Sequence, residues 1–193
     1  MWGINSTFQL SNYKTSMEPT DEDLVERSIN GDSQAFKELV NRNEGKVAGM
    51  VHSMLGATPE AEDVGQEVFV RFFQSMEKFK GESAVSTYLI RIAINLSLNE
   101  IKRRKRKNFL FTREEEGVSI KAPDDKSDMK EIVIYELKRL DPDFQSVVTL
   151  RMIEGYSTEE TAEILGIPLG TVLSRLSRAQ KKLKLVLAKH MAL

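Results

Sequence analysis

The chain has 193 residues, of which 40% are hydrophobic and 30% are charged, and its formal net charge is −1. It contains no cysteine, which excludes disulfide frameworks, thiolate zinc sites and cysteine nucleophiles and fits a reducing cytoplasm. No run of about 18 apolar residues occurs, so a membrane-spanning helix is not expected. Two basic stretches, residues 95–107 and 162–193, each hold six cations against one acid, and residues 113–131 between them hold four cations against seven acids. Such segregation favours a polyanionic partner.

Apolar residues recur at helical spacing along most of the chain, and strand patterns are scarce. Thr58-Pro59 predicts a helix start, because threonine caps helices well and proline suits the first helical position. The inward side of that helix is predicted to consist of Val64, Val68, Phe72 and Met76. After a break at residues 80–83, KGES, a long helix leads to the cluster KRRKRK at residues 102–107. The first half of the chain is therefore predicted to be a helical body with one strongly basic end.

The predicted organisation is two small helical domains joined by a flexible linker. Residues 1–19 form a loose N-terminal tail, and residues 20–107 form the first domain. Residues 108–130 show little periodicity and many acids, so they are predicted to be the linker. Residues 131–193 form the second domain, whose core is small. The fold class is therefore all-α.

The second domain shows clear helix-boundary signals. Asp141-Pro142 predicts one helix start, and the stripe that follows is predicted to be Phe144, Val147, Val148, Leu150 and Ile153. Further on, Ser157 and Glu160 fit a capping box. Gly166 permits a left-handed helix end, and Pro168 begins the next helix after a tight turn.

The last helix has an apolar side and a polar side. The polar side is predicted to consist of Thr171, Ser174, Arg175, Arg178 and Lys181. The two helices and the turn between them are typical of a helix-turn-helix, in which the second helix enters a DNA major groove while cations approach phosphates. An antiparallel helical hairpin with a solvated basic face is the bland alternative, and a membrane-surface helix is a weaker one.

Two long segments carry a resemblance to a known family. EAEDVGQEVFVRFFQSMEKFKGESAVSTYLIRIAINLSLNEIKRRKR resembles domain two of the extracytoplasmic-function sigma factors of the sigma-70 family, and LDPDFQSVVTLRMIEGYSTEETAEILGIPLGTVLSRLSRAQKKL resembles their domain four. The resemblance covers most of residues 20–187. It implies a cytoplasmic bacterial initiation factor, not an enzyme, that binds core RNA polymerase through the β′ clamp helices and the β flap and directs it to promoter DNA. It implies no cofactor, no metal and no membrane insertion, with an anti-sigma factor as a further partner.

The resemblance also assigns roles to individual residues. The polymerase-binding residues are Asp63, Gln66, Glu67 and Arg71. Lys80 and Ser83 would receive a flipped base of the minus-10 element, and Asn95, Lys102 and Arg103 would contact the opened strand. The minus-35 element would meet Thr171, Ser174, Arg175, Arg178 and Lys181. Tyr88 stands where relatives usually carry tryptophan, and Val85 where they often carry an aromatic residue.

Two other functional classes compete with this interpretation. A stand-alone helix-turn-helix regulator would explain the second domain and should bind duplex DNA tightly without polymerase, but it leaves the first domain without a role. A nuclease using Glu62, Asp63 and Glu67 is disfavoured, because acids at a helix start commonly complement the helix dipole. His52 and His190 do not lie at metal-ligand spacing and are expected to be structural or incidental.

Overall fold

The computed structural model describes residues 18–111 and 129–191, and every regular secondary-structure element within these ranges is a helix. This confirms the all-α prediction. The α-helices are α1 (Asp21–Ile29), α2 (Ser33–Leu55), α3 (Pro59–Ser75), α4 (Val85–Phe111), α5 (Met129–Arg139), α6 (Pro142–Val148), α7 (Thr158–Leu165) and α8 (Leu169–Met191). Most of the predicted N-terminal tail and of the predicted acidic linker lies outside the described residues. None of the described helices is long and apolar enough to cross a bilayer.

Region one, residues 18–111, is built around α2 and α4, with α1 and α3 packed on them. Of the four residues predicted to face inward, Val68, Phe72 and Met76 are at most 2% exposed, and Val64 is half-buried. Met76 directly follows the last residue of α3. Thr58 caps α3 as predicted, with its hydroxyl accepting from the backbone N–H of Ala61 at 3.3 Å. The sequence pattern therefore located both the start and the buried side of this helix, and α3 is held with its opposite side facing out.

In region two, residues 129–191, helices α5, α6 and α7 all pack against α8. Between α6 and α7 the chain forms a π-helical turn over Thr149–Ile153. The prediction that Ile153 is buried was wrong, since its exposed fraction is 48%. A π turn holds more residues than an α turn, so it rotates the side chains that follow it out of the stripe that began at Phe144.

Local capping signals in region two fixed helix ends as expected, with one difference. Ser157 and Glu160 form the predicted capping box at the start of α7. Gly166 ends α7 in the left-handed region at φ 63° and ψ 36°. Asp141 stands at the N-cap of α6 but makes no side-chain capping bond there, because its carboxylate instead accepts from Lys182 Nζ at 3.2 Å.

The two regions are in contact. Leu150 and Ile164 of region two are buried in the same apolar cluster as the core of region one, and α4 packs against α6 and α7. Helix α4 extends to Phe111, beyond the predicted linker boundary at residue 107, and α5 begins at Met129. The placement of the domain boundaries remains a prediction, but the described regions are not independent bodies in this structure.

Candidate polymerase and DNA interfaces

Three of the four residues expected to bind polymerase, Asp63, Glu67 and Arg71, lie along α3 at intervals of four, and Gln66 lies three residues after Asp63, so the four occupy neighbouring rows of the helix. Asp63, Gln66 and Arg71 are exposed, and Glu67 is half-buried. The Glu67 carboxylate accepts from Arg71 Nε at 2.8 Å. Helix α3 therefore presents these four polar side chains on the side opposite its buried stripe.

Two exposed apolar side chains on α3 were missed by the sequence analysis. Val70 is 48% exposed and Phe73 is 56% exposed. The Phe73 ring meets Phe36 of α2 edge to face, with 5.0 Å between ring centroids. Exposed apolar groups beside polar ones are typical of a protein-binding surface. The signal was present in the sequence, because Val70 and Phe73 both fall outside the predicted inward stripe. We call this set, Asp63, Gln66, Glu67, Val70, Arg71 and Phe73, the α3 surface.

Residues 80–83 form an open turn between the end of α3 and the start of α4. Gly81 has a φ of +69°, a left-handed conformation that favours glycine. Lys80 is exposed and Ser83 is half-buried. The turn therefore carries an exposed cation, Lys80, and a half-buried hydroxyl, Ser83, the two groups named in the minus-10 prediction.

An aromatic cluster of Phe72, Phe79 and Tyr88 lies next to this turn in the chain. The Tyr88 ring lies 6.0 Å from Phe72 and 5.4 Å from Phe79, measured between centroids, and the Tyr88 hydroxyl approaches Ser75 Oγ at 3.4 Å. Val85 is 1% exposed. Val85 is therefore part of the core, whereas Tyr88 is half-buried and packs its ring against Phe72 and Phe79, which leaves only part of that ring free to stack on a base.

The basic end of α4 divides into engaged and free cations. Glu100 is 9% exposed and accepts from both Arg103 and Arg104. Arg104 also donates to Thr58 Oγ1 at 3.0 Å, joining the end of α4 to the start of α3. By contrast, Lys102 is exposed and forms no ion pair with any residue that the structure describes. Part of the basic stretch therefore has a structural role. We call Glu100, Arg103 and Arg104 the Glu100 brace.

Asn95 lies two helical turns before this brace. Its side chain is exposed on α4, and residues at 95, 99 and 102 fall on one side of a helix because their spacing is four and three. Arg103 is 60% exposed at its side chain although it is paired with Glu100. Asn95, Lys102 and Arg103 are therefore all accessible to a ligand. The positive charge of Arg103 is partly neutralised by the Glu100 carboxylate.

The Glu100 brace predicts a pH dependence of stability. Hydrogen bonding from Arg103, opposed by burial, holds the pKa of Glu100 below its ordinary value of 4.5. A carboxyl group whose pKa is lowered on folding stabilises the folded state above its unfolded pKa, and this contribution disappears as pH falls through the folded pKa. We expect Glu100→Gln to lower the Tm near neutral pH and to have a progressively smaller effect below pH 4.5.

The measurement is a thermal melt of both proteins at a series of pH values, with Glu44→Gln on the exposed side of α2 as the matched control. An equal Tm difference at neutral and acidic pH would show that the Glu100 charge does not stabilise the fold.

Helices α7 and α8 form the predicted helix-turn-helix. Thr161, which the sequence analysis did not select, is fully buried, and its hydroxyl donates to the Ser157 carbonyl at 2.7 Å. Val172 and Ala179 of α8 are also fully buried. One side of α8 is therefore fixed against the rest of region two, and the predicted reading side is directed away from that core.

The reading side of α8 carries all five predicted residues, but they differ in their surroundings. Ser174, Arg178 and Lys181 are exposed and Thr171 is half-buried. Arg175 is only 26% exposed at its side chain and donates to Asp143 at 2.6 Å. Nearby, the Lys182 ammonium lies 4.8 Å from the centre of the Phe144 ring. Arg178 and Lys181 are thus the cations of this side that form no ion pair with a described residue.

A cleft of about 450 Å³ brings the two predicted DNA-binding surfaces together. Region one contributes Lys102, and region two contributes Thr171, Ser174, Arg175 and Arg178. Asp141, Pro142, Asp143 and Phe144 complete its lining. The sequence analysis placed Lys102 and the α8 residues in separate domains and did not anticipate that they would face one space.

The acidic residues considered for metal-dependent chemistry do not form a recognisable site. Within the described ranges, no group of three or more histidine, aspartate or glutamate side chains is arranged to hold a metal ion. His52 is exposed on α2. Glu67 is engaged with Arg71, as described above. The geometry therefore provides no support for the nuclease alternative.

Comparison with family models gives two matches. Residues 39–107 match the model described as Sigma-70 region 2, and residues 130–183 match Sigma-70, region 4. The first match contains the α3 surface, the turn at residues 80–83 and the basic end of α4. The second contains α7 and most of α8.

Curated relatives and solved structures agree with these matches. The chain is 35% identical over 178 residues to the ECF RNA polymerase sigma-E factor of Haemophilus influenzae, covering 86% of this chain and 94% of the relative. It is 34% identical to the ECF RNA polymerase sigma-E factor of Escherichia coli, covering 84% and 91%. The fold is similar to that of the sigma factor RpoE in complex with the anti-sigma factor NepR from Bartonella quintana, with a TM-score of 0.63, 22% identity and coverage of 79% and 96%. It is also similar to CnrH in complex with the cytosolic domain of CnrY, with a TM-score of 0.65, 24% identity and coverage of 88% and 97%.

Proposed function

The chain belongs to the extracytoplasmic-function sigma factors of the sigma-70 family, and we propose that it uses three separate surfaces to bring core RNA polymerase to a promoter. As a sigma factor it functions in transcription initiation, with core RNA polymerase and promoter DNA as partners. The observation that carries the proposal is the division of the exposed polar residues among α3, the α4 segment and α8. One surface serves the polymerase, and the other two serve DNA.

The α3 surface is the proposed contact with the β′ clamp helices of the polymerase. Its exposed Val70 and Phe73 supply apolar area, and Asp63, Gln66 and Arg71 supply a polar rim, the composition expected of an interface that must also be released. Region two is proposed to rest on the β flap, which would set the distance between the two DNA-binding surfaces.

The turn at residues 80–83 and the adjoining face of α4 are the proposed site for the minus-10 element. Lys80 and Ser83 offer a cation and a hydroxyl beside the turn, and Asn95 and Lys102 extend this polar track along α4. Recognition of single strands combines such cations with a place for an unstacked base. Because the Tyr88 ring is half-buried against Phe72 and Phe79, we assign base recognition here mainly to polar groups.

The exposed side of α8 is the proposed site for the minus-35 element. The start of a recognition helix contacts base edges, and cations farther along approach phosphates. Thr171 and Ser174 lie in the first turns of α8 and are suited to base edges, and Lys181 is suited to a phosphate. Arg175 can join them only if it exchanges Asp143 for DNA, since the two are paired in this structure.

In this proposal the protein performs no chemistry of its own and acts in the cytoplasm, where the polymerase is found. An anti-sigma factor is proposed as a further partner, which is supported by the similar solved sigma factor that was determined in complex with one. A stand-alone DNA-binding regulator is not favoured, because the chain matches family models in both of its regions.

The proposed function is tested by binding and run-off transcription with purified bacterial core polymerase on a genomic fragment library. We expect the wild-type chain to bind core polymerase and to support initiation from specific fragments. Asp63→Lys should weaken polymerase binding by roughly tenfold, because it replaces the attraction that the Asp63 carboxylate supplies in the proposed interface with repulsion.

Glu44→Lys is the matched control, since Glu44 is an exposed acid on α2 outside the α3 surface. The helical content of both variants is checked by circular dichroism. If the wild-type chain does not bind core polymerase, or if the two variants bind equally well, the assignment of the α3 surface is wrong. Tight duplex binding without polymerase would favour the stand-alone regulator.

A further inference from the structure

Helix α8 carries an exposed apolar side chain near its start. Leu173 is 50% exposed, and it belongs to neither of the two apolar clusters formed by the described residues. The preceding residue, Val172, is fully buried, so the helix is fixed at this point and Leu173 is held outside the core. A single exposed leucine is common on protein surfaces, and its position on the helix therefore decides what it can contact.

Leu173 borders the reading side of α8. Because successive residues of a helix are about 100° apart, Gly170 and Ser177 both lie between Leu173 and Ser174 around the helix. Gly170 and Ser177 are exposed, and the space in front of Gly170 is open, with no other side chain within 4 Å of the position that a Cβ would occupy. Only small residues therefore separate Leu173 from Ser174, and a base pair that approaches Ser174 can also reach Leu173.

The position of Leu173 along α8 is that of a base-reading residue. Leu173 is the fifth residue of α8, within the same two turns as Thr171 and Ser174, and the first turns of a recognition helix contact base edges. Arg178 and Lys181 lie farther along the helix. The part of α8 that would enter the groove first thus offers two hydroxyls and one exposed leucine, and the unpaired cations follow.

The chemistry of leucine limits what Leu173 can recognise. Its side chain has no hydrogen-bond donor or acceptor, so it cannot bind a phosphate or a polar base edge. In the major groove, thymine presents an apolar group, its C5-methyl, which the other three bases lack. Cytosine in the same place presents its N4 amino group instead, which would lose water against a leucine without gaining a partner. An exposed leucine at this place therefore favours thymine.

We propose that Leu173 selects a thymine in the minus-35 element by packing its side chain against the C5-methyl group of that base. This inference rests on the proposed function, in which α8 reads the minus-35 element. It adds a base preference that contacts to phosphates cannot supply, because phosphate contacts carry no direct sequence information.

The test removes the methyl group and leaves base pairing unchanged. On promoters identified by the run-off experiment, each thymine of the upstream duplex, on either strand, is replaced in turn by uracil, which lacks only the C5-methyl group. Affinity is measured with the assembled polymerase complex. We expect uracil to lower the affinity about fourfold at the position that Leu173 contacts, the factor that corresponds to burying one methyl-sized group.

Three variants of the full chain connect this effect to Leu173. Leu173→Ala should bind the thymine promoter about fourfold more weakly than wild type and should no longer distinguish thymine from uracil at that position. Leu173→Met keeps an apolar side chain of similar size and should retain the uracil effect. Leu185→Ala is the matched control, because Leu185 is 61% exposed on the same helix, roughly three turns farther along, and it should behave as wild type. None of the three variants should change the binding of core polymerase or the helical content measured by circular dichroism.

The inference is overturned if the wild-type complex tolerates uracil at every upstream position, or if Leu173→Ala retains the full uracil effect. Weaker binding of core polymerase by Leu173→Ala, with an unchanged response to uracil, would make Leu173 a protein contact and would also overturn it. If the wild-type chain binds polymerase and promoters but uracil has no effect, only this inference fails. If the wild-type chain does not bind core polymerase, the proposed function fails and the role of Leu173 fails with it.

Discussion

Phe72→Ala is expected to lower the free energy of unfolding of region one by about 3–5 kcal/mol, the range for truncating a large buried aromatic side chain. Phe72 is fully buried in α3, and its ring packs against Phe79 at 6.3 Å and Tyr88 at 6.0 Å between centroids. Removing the ring leaves a cavity beneath the turn at residues 80–83. The measurement is the urea midpoint of unfolding, followed by circular dichroism.

Phe73→Ala is the control for this variant, because it removes the same atoms from the next position in the same helix. Phe73 is 56% exposed and contacts mainly Phe36, so its loss should cost at most about 1.5 kcal/mol through the aromatic pair. Phe73→Ala should instead weaken polymerase binding through the α3 surface. Similar midpoints for the two variants would contradict the assignment of Phe72 to the core and Phe73 to the interface.

Arg178→Ala is expected to weaken binding of the polymerase complex to the minus-35 element by about 1–3 kcal/mol if Arg178 reads a base. This is roughly a 5- to 150-fold loss of affinity. Arg178 is exposed on α8 and forms no ion pair with any described residue, so its guanidinium is available without breaking an internal bond. Promoter binding is measured with the assembled polymerase, on promoters identified by the run-off experiment and on versions with a mutated upstream element.

Lys184→Ala serves as the charge-matched control. It removes one exposed cation from the same helix, at a position outside the predicted reading side. If Arg178 contacts a phosphate, the loss should be uniform across sequences and the salt dependence should fall by about one charge. Equal promoter binding by wild type and Arg178→Ala would remove Arg178 from both roles.

The internal ion pairs of region two suggest how the free and DNA-bound forms differ. Asp143 holds Arg175, and Asp141 holds Lys182. Both carboxylates lie at the start of α6 and both cations lie on α8. Both carboxylates are more than half exposed, and ion pairs that water can reach contribute little to stability, so a phosphate could displace either carboxylate at small cost. If α8 binds DNA as proposed, these pairs would partly neutralise its cations until a phosphate replaces the carboxylates.

Helix ends and the buried side of α3 could be predicted from the sequence because they depend on neighbouring residues. Thr58 with Pro59, Ser157 with Glu160, and Gly166 each act on backbone groups within one turn, so their effect is encoded within a few positions. The helix-turn-helix followed from the same local signals.

The individual roles of the cations at the end of α4 could not be predicted in this way. The sequence places Lys102, Arg103 and Arg104 side by side, and nothing in their order distinguishes them. The fold brings Arg104 to Thr58 and pairs it with the buried Glu100, and it leaves Lys102 exposed. Which cation is free depends on what the other helices bring near it.

The sequence by itself determined the helical class, the main helix boundaries, the buried side of α3 and the polar side of α8, because periodicity and capping act within one or two turns. Only the tertiary structure decided that Ile153 is exposed, that the Tyr88 ring packs against Phe72 and Phe79, and that Gln145 reaches the Met54 carbonyl. That last bond joins residues 91 positions apart in the chain. Contacts at such separation depend on how whole helices pack, and no local pattern specifies them.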